Sequence, residues 1–354
     1  MSLELLVEYE VFEHRTISPA DIKYLYKPYG EICSSKPENS LLKAVMRGKK
    51  IMVRGRSGAG KTCLINYVIS ELDTSYFPIM FPVRLSGEHD KICSDASEFV
   101  AFMLHRILSA VQEAKTISRR QYNKFRKYLS GEMSYREGKA DTFLGRLTSK
   151  LSWIPGFAQT SAEVGGQIEK YTEYALSQKI FVEDKVGCIN EIIRIQNDKG
   201  ITPVIVLDDT DKFLQIGAID KTGLIDEFFV YIAPLFRDFN CPIIFPTHDR
   251  YMVHDSYQYA EKNIMDKVIT IPELSFNAFI KMLDHKVKSV LEDSKIEDFI
   301  ERDAIRLVYS QLYKEKTEER MRNSLRTINE IVKASVRNNI QKVDFNRMAY
   351  HLLG

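Results

Sequence analysis

Residues Gly55 to Thr62 read Gly-Arg-Ser-Gly-Ala-Gly-Lys-Thr, a complete G-x-x-x-x-G-K-[ST] pattern, and nothing else in the chain restricts its fold as tightly. Such a loop works only where a strand delivers the chain to it and a helix leaves it, because its backbone N–H groups must converge on an anion. Ile51-Met52-Val53 is a short apolar strand candidate before it, and Cys63 to Ile69 continues as an apolar helix after it. The backbone of Gly55, Arg56, Ser57, Gly58, Ala59, Gly60, Lys61, Thr62 and Cys63 is therefore expected to cradle phosphates, with Gly55, Gly58 and Gly60 at positive φ. Lys61 supplies a point charge for β- and γ-phosphates, and the Thr62 hydroxyl a ligand for Mg²⁺. The cofactors expected are ATP and Mg²⁺.

A phosphate loop of this kind needs an acid on a neighbouring strand. Ile201-Thr202-Pro203-Val204-Ile205-Val206-Leu207 ends abruptly in Asp208-Asp209-Thr210-Asp211-Lys212, the pattern of a buried parallel strand reaching the ligand edge of its sheet. Asp208 is expected to hold the metal with Thr62, its alternative being a cap for the next helix. Asp209 is expected to orient or deprotonate the attacking water. The next strand, Pro242 to Phe245, leads into Pro246-Thr247-His248-Asp249-Arg250. There Thr247 or His248 is placed to sense the γ-phosphate and Arg250 to touch nucleotide; the alternatives are a loop histidine and a solvated arginine.

These residues resemble the additional-strand P-loop NTPases of the AAA+ and STAND group. Asp208-Asp209-x-Asp211-Lys212, Asp249-Arg250 and Lys267-Val268-Ile269-Thr270-Ile271-Pro272 are most similar to KAP-type NTPases. The resemblance spans roughly residues 40 to 335 and implies an α/β fold: a P-loop NTPase with a parallel sheet sandwiched by helices, plus a C-terminal helical lid. It also implies that Arg326, in Arg322-Asn323-Ser324-Leu325-Arg326, reaches the γ-phosphate as a second sensor, the alternative being an ordinary helix-surface arginine. Three departures stand out. The transmembrane insertion of many KAP proteins is missing, Asp209 stands where AAA+ proteins usually carry Glu, and no effector domain is fused to the module.

The expected organisation is an N-terminal extension over 1–39, a P-loop core over 40–272 with an insertion at about 116–175, and a helical lid over 273–354. Leu3 to Val11 alternates partly and reads as strand. Helices are expected over Leu41–Met46, Ala96–Gln112, Ile180–Gln196, Leu224–Phe236, Asn277–Leu291, Glu297–Tyr313, Glu318–Asn338 and Val343–Leu353, with strands at Phe77–Leu85 and Lys267–Ile271. Trp153 to Gln167 reads as a turn-rich hairpin.

Among 354 residues, 50 Lys and Arg face 48 Asp and Glu, so bulk polyanion binding is excluded and any basic surface is local. It is concentrated in Thr116–Lys150, where nine Lys and Arg stand against three acids. Tyr122, Phe125, Tyr128, Tyr135 and Phe143 are interleaved, which suits phosphate contact with base stacking, a solvated hairpin whose aromatics pack inward, or a protein-partner surface. No apolar stretch approaches a bilayer span and the five cysteines are scattered, so the reading is a cytoplasmic protein with reduced thiols and no membrane association.

The function expected is an ATP-binding and hydrolysing switch or motor module. It would control assembly, as a homo-oligomer with Arg237 or Arg250 acting in trans, or a separately encoded effector, with bacterial anti-phage defence as one setting. The alternatives are a nucleic-acid-handling ATPase of the initiator or transposition-regulator type, using residues 119–150, and an ATP-binding regulator that does not hydrolyse.

Overall fold

The computed structural model describes residues 3–12, 21–82, 89–129, 165–208, 222–315 and 319–353. From the N-terminus run α1 (Leu3–Glu8), α2 (Ile22–Leu25), α3 (Tyr29–Ile32) and α4 (Pro37–Met46), then β1 (Lys50–Arg54), α5 (Lys61–Glu71) and β2 (Tyr76–Pro82). Helices α6 (His89–Ser94), α7 (Ala96–Glu113), α8 (Arg119–Leu129) and α9 (Gly165–Asn197) precede β3 (Thr202–Asp208). After α10 (Thr222–Glu227) come β4 (Ile243–Thr247), α11 (Asp255–Asn263) and β5 (Lys267–Thr270). The C-terminal part is helical: α12 (Phe276–Lys288), α13 (Ile296–Phe299), α14 (Arg302–Val308), α15 (Arg320–Arg337) and α16 (Phe345–Leu353).

The strands form a five-stranded parallel sheet in the order β2-β3-β4-β1-β5, so β4 lies between the strand entering the glycine-rich loop and the strand ending in Asp208. This is the additional strand that the resemblance implied. Parallel strands buried on both faces need uninterrupted apolar runs, and Ile51, Met52 and Val53, Val204 to Leu207, and Ile243 to Phe245 are all buried. Register fixes the functional edge. Lys50 through Arg54 pair with Ile243 through Thr247, while Ile205 and Val206 pair with Ile243 and Ile244. Asp208, Thr247 and Gly55 consequently leave the sheet at one edge.

The chain divides into two compact units. In the unit comprising Met1–Leu85, Val204–Asp226 and Pro242–Gly354, one hydrophobic core joins Ile51, Val53, Val204, Val206, Ile244 and Ile269 of the sheet to Leu41, Leu64 and Val68 of α4 and α5. The same core takes in Leu3, Leu6, Tyr26 and Tyr29 and, from the C-terminal helices, Phe279, Leu283, Ile305, Ile328 and Val332. Each such side chain, fully buried, contributes roughly 1.5–3 kcal/mol of transfer free energy. In the other unit, Ser86–Pro203 and Glu227–Cys241, α7 packs along α9, and Phe99, Met103, Leu104, Ile107 and Val111 of α7 and Val186, Ile189, Ile192 and Ile193 of α9 are buried. Asp95 caps α7, its Oδ1 accepting from Ser97 N at 2.7 Å. Asn190 holds the Asp238–Asn240 turn by donating to Asp238 O at 2.7 Å and accepting from Asn240 N at 2.9 Å.

Most elements lie where the sequence puts them, and the exceptions have local causes. Leu3 to Glu8 is helix rather than strand, because Leu3 and Leu6 at helical spacing are both buried. The expected Leu224–Phe236 helix breaks into α10, a π turn over Phe228–Ile232 and a 3₁₀ turn over Ala233–Asp238; Pro234 has no N–H to donate back to the preceding turn. Glu297–Tyr313 is interrupted where Ile300 bridges to Val343: Val343 N donates to Phe299 O at 2.8 Å and Glu301 N to Val343 O at 2.9 Å. Gly165 to Gln167 open α9 instead of closing a hairpin. Residues 153–164 lie outside the described residues.

Candidate phosphate-loop site

Strand β1 delivers the chain to Gly55, whose N–H donates to Thr247 O at 3.2 Å and ties the start of the loop to the end of β4. Gly58 at φ +67° and Gly60 at φ +94° adopt the left-handed backbone that the pattern demands. Gly55 does not. A Cβ there would lie 3.2 Å from Cβ and Cγ1 of Ile271, so this glycine answers a close approach by the residue after β5. Ala59 N bonds Arg56 O at 3.2 Å, and Leu64 N bonds Gly60 O at 2.9 Å as α5 begins. The Lys61 side chain is folded back over the loop, its Nζ donating to Gly55 O at 2.7 Å and Arg56 O at 3.0 Å, with only 5% of the residue exposed.

The acidic strand meets the loop through Thr62, whose Oγ1 donates to Asp208 Oδ1 at 3.0 Å. A threonine hydroxyl and a carboxylate oxygen so placed are the hard oxygen donors that Mg²⁺ takes beside nucleotide phosphates. Positive-φ glycines, a lysine and this oxygen pair fit a Mg²⁺–nucleotide. Among the described residues no group of three or more His, Cys, Asp and Glu is placed to hold a metal ion. Asp209 lies outside the described residues.

Thr247 is buried, its Oγ1 donating to His248 O at 3.5 Å, and burial raises the pKa of the Tyr257 phenol, near which Thr247 and Arg54 lie. Arg54 also bonds Glu261 Oε1 at 3.0 Å and Thr270 Oγ1 at 3.0 Å. His248 is buried as well and caps the short 3₁₀ turn Asp249–Val253, its Nδ1 accepting from Arg250 N at 3.0 Å. Arg250 itself is exposed. Arg56 of the loop faces Asp249 Oδ2 at 4.0 Å. Arg326 is exposed on α15, where its Nη2 bonds Asn323 Oδ1 at 2.9 Å. Arg237 is exposed in the other unit.

Three residues at the loop escape a reading by motif. Tyr29 is buried, and its hydroxyl donates to Ala59 O at 3.0 Å. Its own N–H donates to Glu38 Oε1 at 2.6 Å, an oxygen that also accepts from the Tyr26 hydroxyl at 2.8 Å. Burial drives the phenol pKa values of Tyr26 and Tyr29 far up, and the Glu38 carboxylate adds to the shift. The other two belong to the start of α15: Glu319 N donates to Ser57 O at 3.1 Å, and Arg322 pairs with Glu319 beside Gly58. No motif in the sequence pointed to Tyr29 or Glu319.

In the other unit, α8 turns Arg119, Arg120, Lys124, Arg126 and Lys127 outward. Its aromatics do the reverse: Phe125 and Tyr128 are buried, with ring centroids 6.3 Å apart, and Tyr122 is half-buried. Lys124 Nζ lies 5.8 Å from the Tyr128 ring centroid. Tyr135, Phe143 and the remaining basic residues of 130–150 lie outside the described residues. No helix among the described residues is long and apolar enough to cross a membrane.

No protein-family model matches the chain, and no curated protein matches it in sequence. Solved structures do. The ORC1 protein of Aeropyrum pernix in complex with DNA is similar over 99% of this chain and 69% of its own, at 12% identity and a TM-score of 0.47. The ORC2 protein of the same organism, in its ADPNP–ADP complexes, is similar over 97% and 71%, at 10% identity and a TM-score of 0.48. Cdc6p from Pyrobaculum aerophilum is similar over 94% and 67%, at 12% identity and a TM-score of 0.45.

Proposed function

We propose that the protein is a Mg²⁺-dependent ATPase of AAA+ type whose nucleotide state acts as a switch. The observation that carries this reading is the 3.0 Å approach of Thr62 Oγ1 to Asp208 Oδ1 at the edge where the glycine-rich loop leaves the sheet. In the proposed arrangement the loop N–H groups between Gly55 and Thr62 and the Lys61 ammonium take the polyphosphate, and Thr62 and Asp208 hold the metal. A Mg²⁺ held by Thr62 and Asp208 would supply charge neutralisation to the phosphates. Asp209 orients the attacking water, and Thr247, Arg250 and Arg326 are the candidate contacts to the reacting phosphate. Phosphoryl transfer needs little covalent chemistry from the protein, so positioning by these groups is the whole task. The partner acted upon is a second copy of this chain or a separately encoded effector.

A single preparation tests this. Mass in solution and phosphate release are compared with ATP–Mg²⁺ and with ADP, for wild type and for Lys61→Ala. The switch reading expects phosphate release and a nucleotide-dependent mass in wild type, and neither in Lys61→Ala. Equal phosphate release by both proteins sinks the ATPase assignment, and one mass in every condition sinks control of self-assembly.

A second reading, a nucleic-acid-handling ATPase, is supported by one observation, the five basic side chains that α8 turns outward within eleven residues containing no acid. Salt-dependent binding of a DNA or RNA duplex, lost on charge reversal along α8, is its test.

A further inference from the structure

Arg54 ends β1 one residue before the phosphate loop, and strand register decides what its side chain meets. Paired residues of parallel strands point to the same face of a sheet. Arg54 is paired with Thr247 of β4 on one side and with Thr270 of β5 on the other, so these three side chains share a face. Val204 and Val206 lie on the opposite face, in one core with Leu64 and Val68 of α5, and the period of two carries Asp208 with them. Thr247 thus bears its hydroxyl on the face away from Asp208 and Thr62. There the Arg54 guanidinium is held by two elements, Nη1 donating to Glu261 Oε1 of α11 at 3.0 Å and Nη2 to Thr270 Oγ1 at 3.0 Å. The buried Tyr257 phenol, also from α11, lies near both Arg54 and Thr247. A guanidinium can only donate hydrogen bonds, whereas phenol and threonine hydroxyls donate and accept. A phenol beside Arg54 therefore accepts from it and turns its own proton elsewhere.

We propose that Arg54 and Tyr257 are positioning residues for Thr247: the guanidinium donates to the phenol oxygen, the phenol proton goes to Thr247 Oγ1, and the Thr247 proton is left for the reacting phosphate. The proposal rests on reading the protein as an ATPase in which Thr247 touches that phosphate. Thr247 Oγ1 donates to His248 O at 3.5 Å, the long limit of a hydrogen bond, so its proton is released at little cost. Glu261 and Thr270 keep the guanidinium from following the phenol. The loop itself depends on other bonds, Ala59 N to Arg56 O and Lys61 Nζ to Gly55 O, so nucleotide binding does not need Arg54 or Tyr257. Turnover does, because a shift of about 1 Å in a group that meets the reacting atoms costs up to about 10²-fold in rate.

Phosphate release and calorimetric titration with Mg²⁺–ADP are compared for wild type, Tyr257→Phe, Arg54→Met and the double variant. Turnover is counted per ADP-binding site, so misfolded protein does not enter kcat. Tyr257→Phe keeps the buried ring and is expected to lower kcat by roughly 10-fold, with KM for ATP and Kd for ADP within about twofold of wild type. Arg54→Met behaves alike, and the double variant is within about twofold of the slower single one, because the two residues act as one chain. Wild-type kcat in Tyr257→Phe overturns the proposal whether or not Arg54→Met folds. ADP binding that weakens as much as turnover also overturns it, since the residues then support the loop and not Thr247. Losses that multiply in full in the double variant overturn the chain from Arg54 through Tyr257. A wild type that binds ADP and releases no phosphate sinks the ATPase reading and the proposal together, whereas wild-type turnover that neither substitution slows sinks the proposal alone.

Discussion

Thr62 Oγ1 donates to Asp208 Oδ1 across 3.0 Å, joining the first turn of α5 to the end of β3 although a third strand separates β1 from β3 in the sheet. Asp208→Asn keeps a hydrogen-bond acceptor for Thr62 and removes the charge that a divalent cation requires. ADP binding without Mg²⁺ is expected to stay within about twofold of wild type, since neutral Asn still accepts from Thr62. The gain on adding Mg²⁺ disappears, and phosphate release falls by about 10²-fold or more. Titrations with and without Mg²⁺ decide it: a Mg²⁺ enhancement that persists in Asp208→Asn removes Asp208 from the metal.

Tyr29 links the N-terminal segment to the loop by a single bond from its hydroxyl to Ala59 O. Tyr29→Phe deletes that bond while keeping the buried ring. A hydrogen bond of this kind contributes about 1 kcal/mol, so ADP affinity is expected to fall roughly fivefold with a Tm decrease of about 2–4 °C. Wild-type affinity in Tyr29→Phe shows that the loop holds its shape without the N-terminal segment.

The site was legible where chemistry demands a residue type and obscure where packing alone decides. Lys61, Thr62 and Asp208 were singled out in the sequence because a phosphate loop with a metal would accept few alternatives at those positions, and the register of β1 with β4 and of β4 with β3 brings all three to one edge. The glycine pattern was right for a partly mistaken reason, since Gly58 and Gly60 supply positive φ but Gly55 makes room for Ile271. Short apolar runs such as Leu3 to Val7 fit both periods, and only their burial against the C-terminal helices settles the question. Motif reasoning selected Arg326 on α15. The residue beside Gly58 is Arg322, one turn earlier, because the helix starts from a left-handed Glu319 that no sequence rule anticipates.

The two glycines therefore predict different repair. Gly55→Ala is allowed by its backbone but presses on Ile271 at 3.2 Å, an overpacking worth about 1–3 kcal/mol. Ile271→Val in the same chain is expected to recover most of the lost Tm. Gly58→Ala is strained at φ +67° as well as crowded by Glu319 backbone, so no single neighbour can relieve it. Thermal unfolding of the single and double variants checks the contrast. Failure of Ile271→Val to rescue Gly55→Ala means that the glycine is needed for something other than space.

Lys286 on α12 is 7% exposed, and burial pulls its pKa below the ordinary 10.5, with Cys63 nearby acting in the other direction. Between the lowered value and 10.5 the unfolded chain binds the proton and the folded chain does not, so wild-type stability rises with pH through that window. Below the window the ammonium stays charged in a buried setting. Lys286→Met is expected to stabilise the protein at neutral pH by on the order of 1 kcal/mol, or about 2–4 °C in Tm, and this advantage shrinks as pH approaches 10.5. A Tm difference that stays constant from neutral pH to 10 sinks the account.

On α8, charge and aromaticity separate by face, and this decides what kind of nucleic-acid contact the helix can make. Phe125 and Tyr128 are 2% and 5% exposed, so neither offers a ring for a base, while Arg119, Arg120, Lys124, Arg126 and Lys127 all reach solvent. With no ring from Phe125 or Tyr128 to stack on a base, these lysines and arginines are expected to contact phosphates, a mode that is indifferent to sequence and released by salt. If this face binds a duplex, replacing two of the five cations with glutamine lowers the slope of log K against log salt by about 2, uniformly across unrelated sequences. Phe125→Ala instead costs about 3–5 kcal/mol of stability and leaves the slope of the folded fraction unchanged. A salt slope that is insensitive to the paired substitutions, or a preference among single-stranded sequences that follows Phe125, excludes the phosphate-only mode.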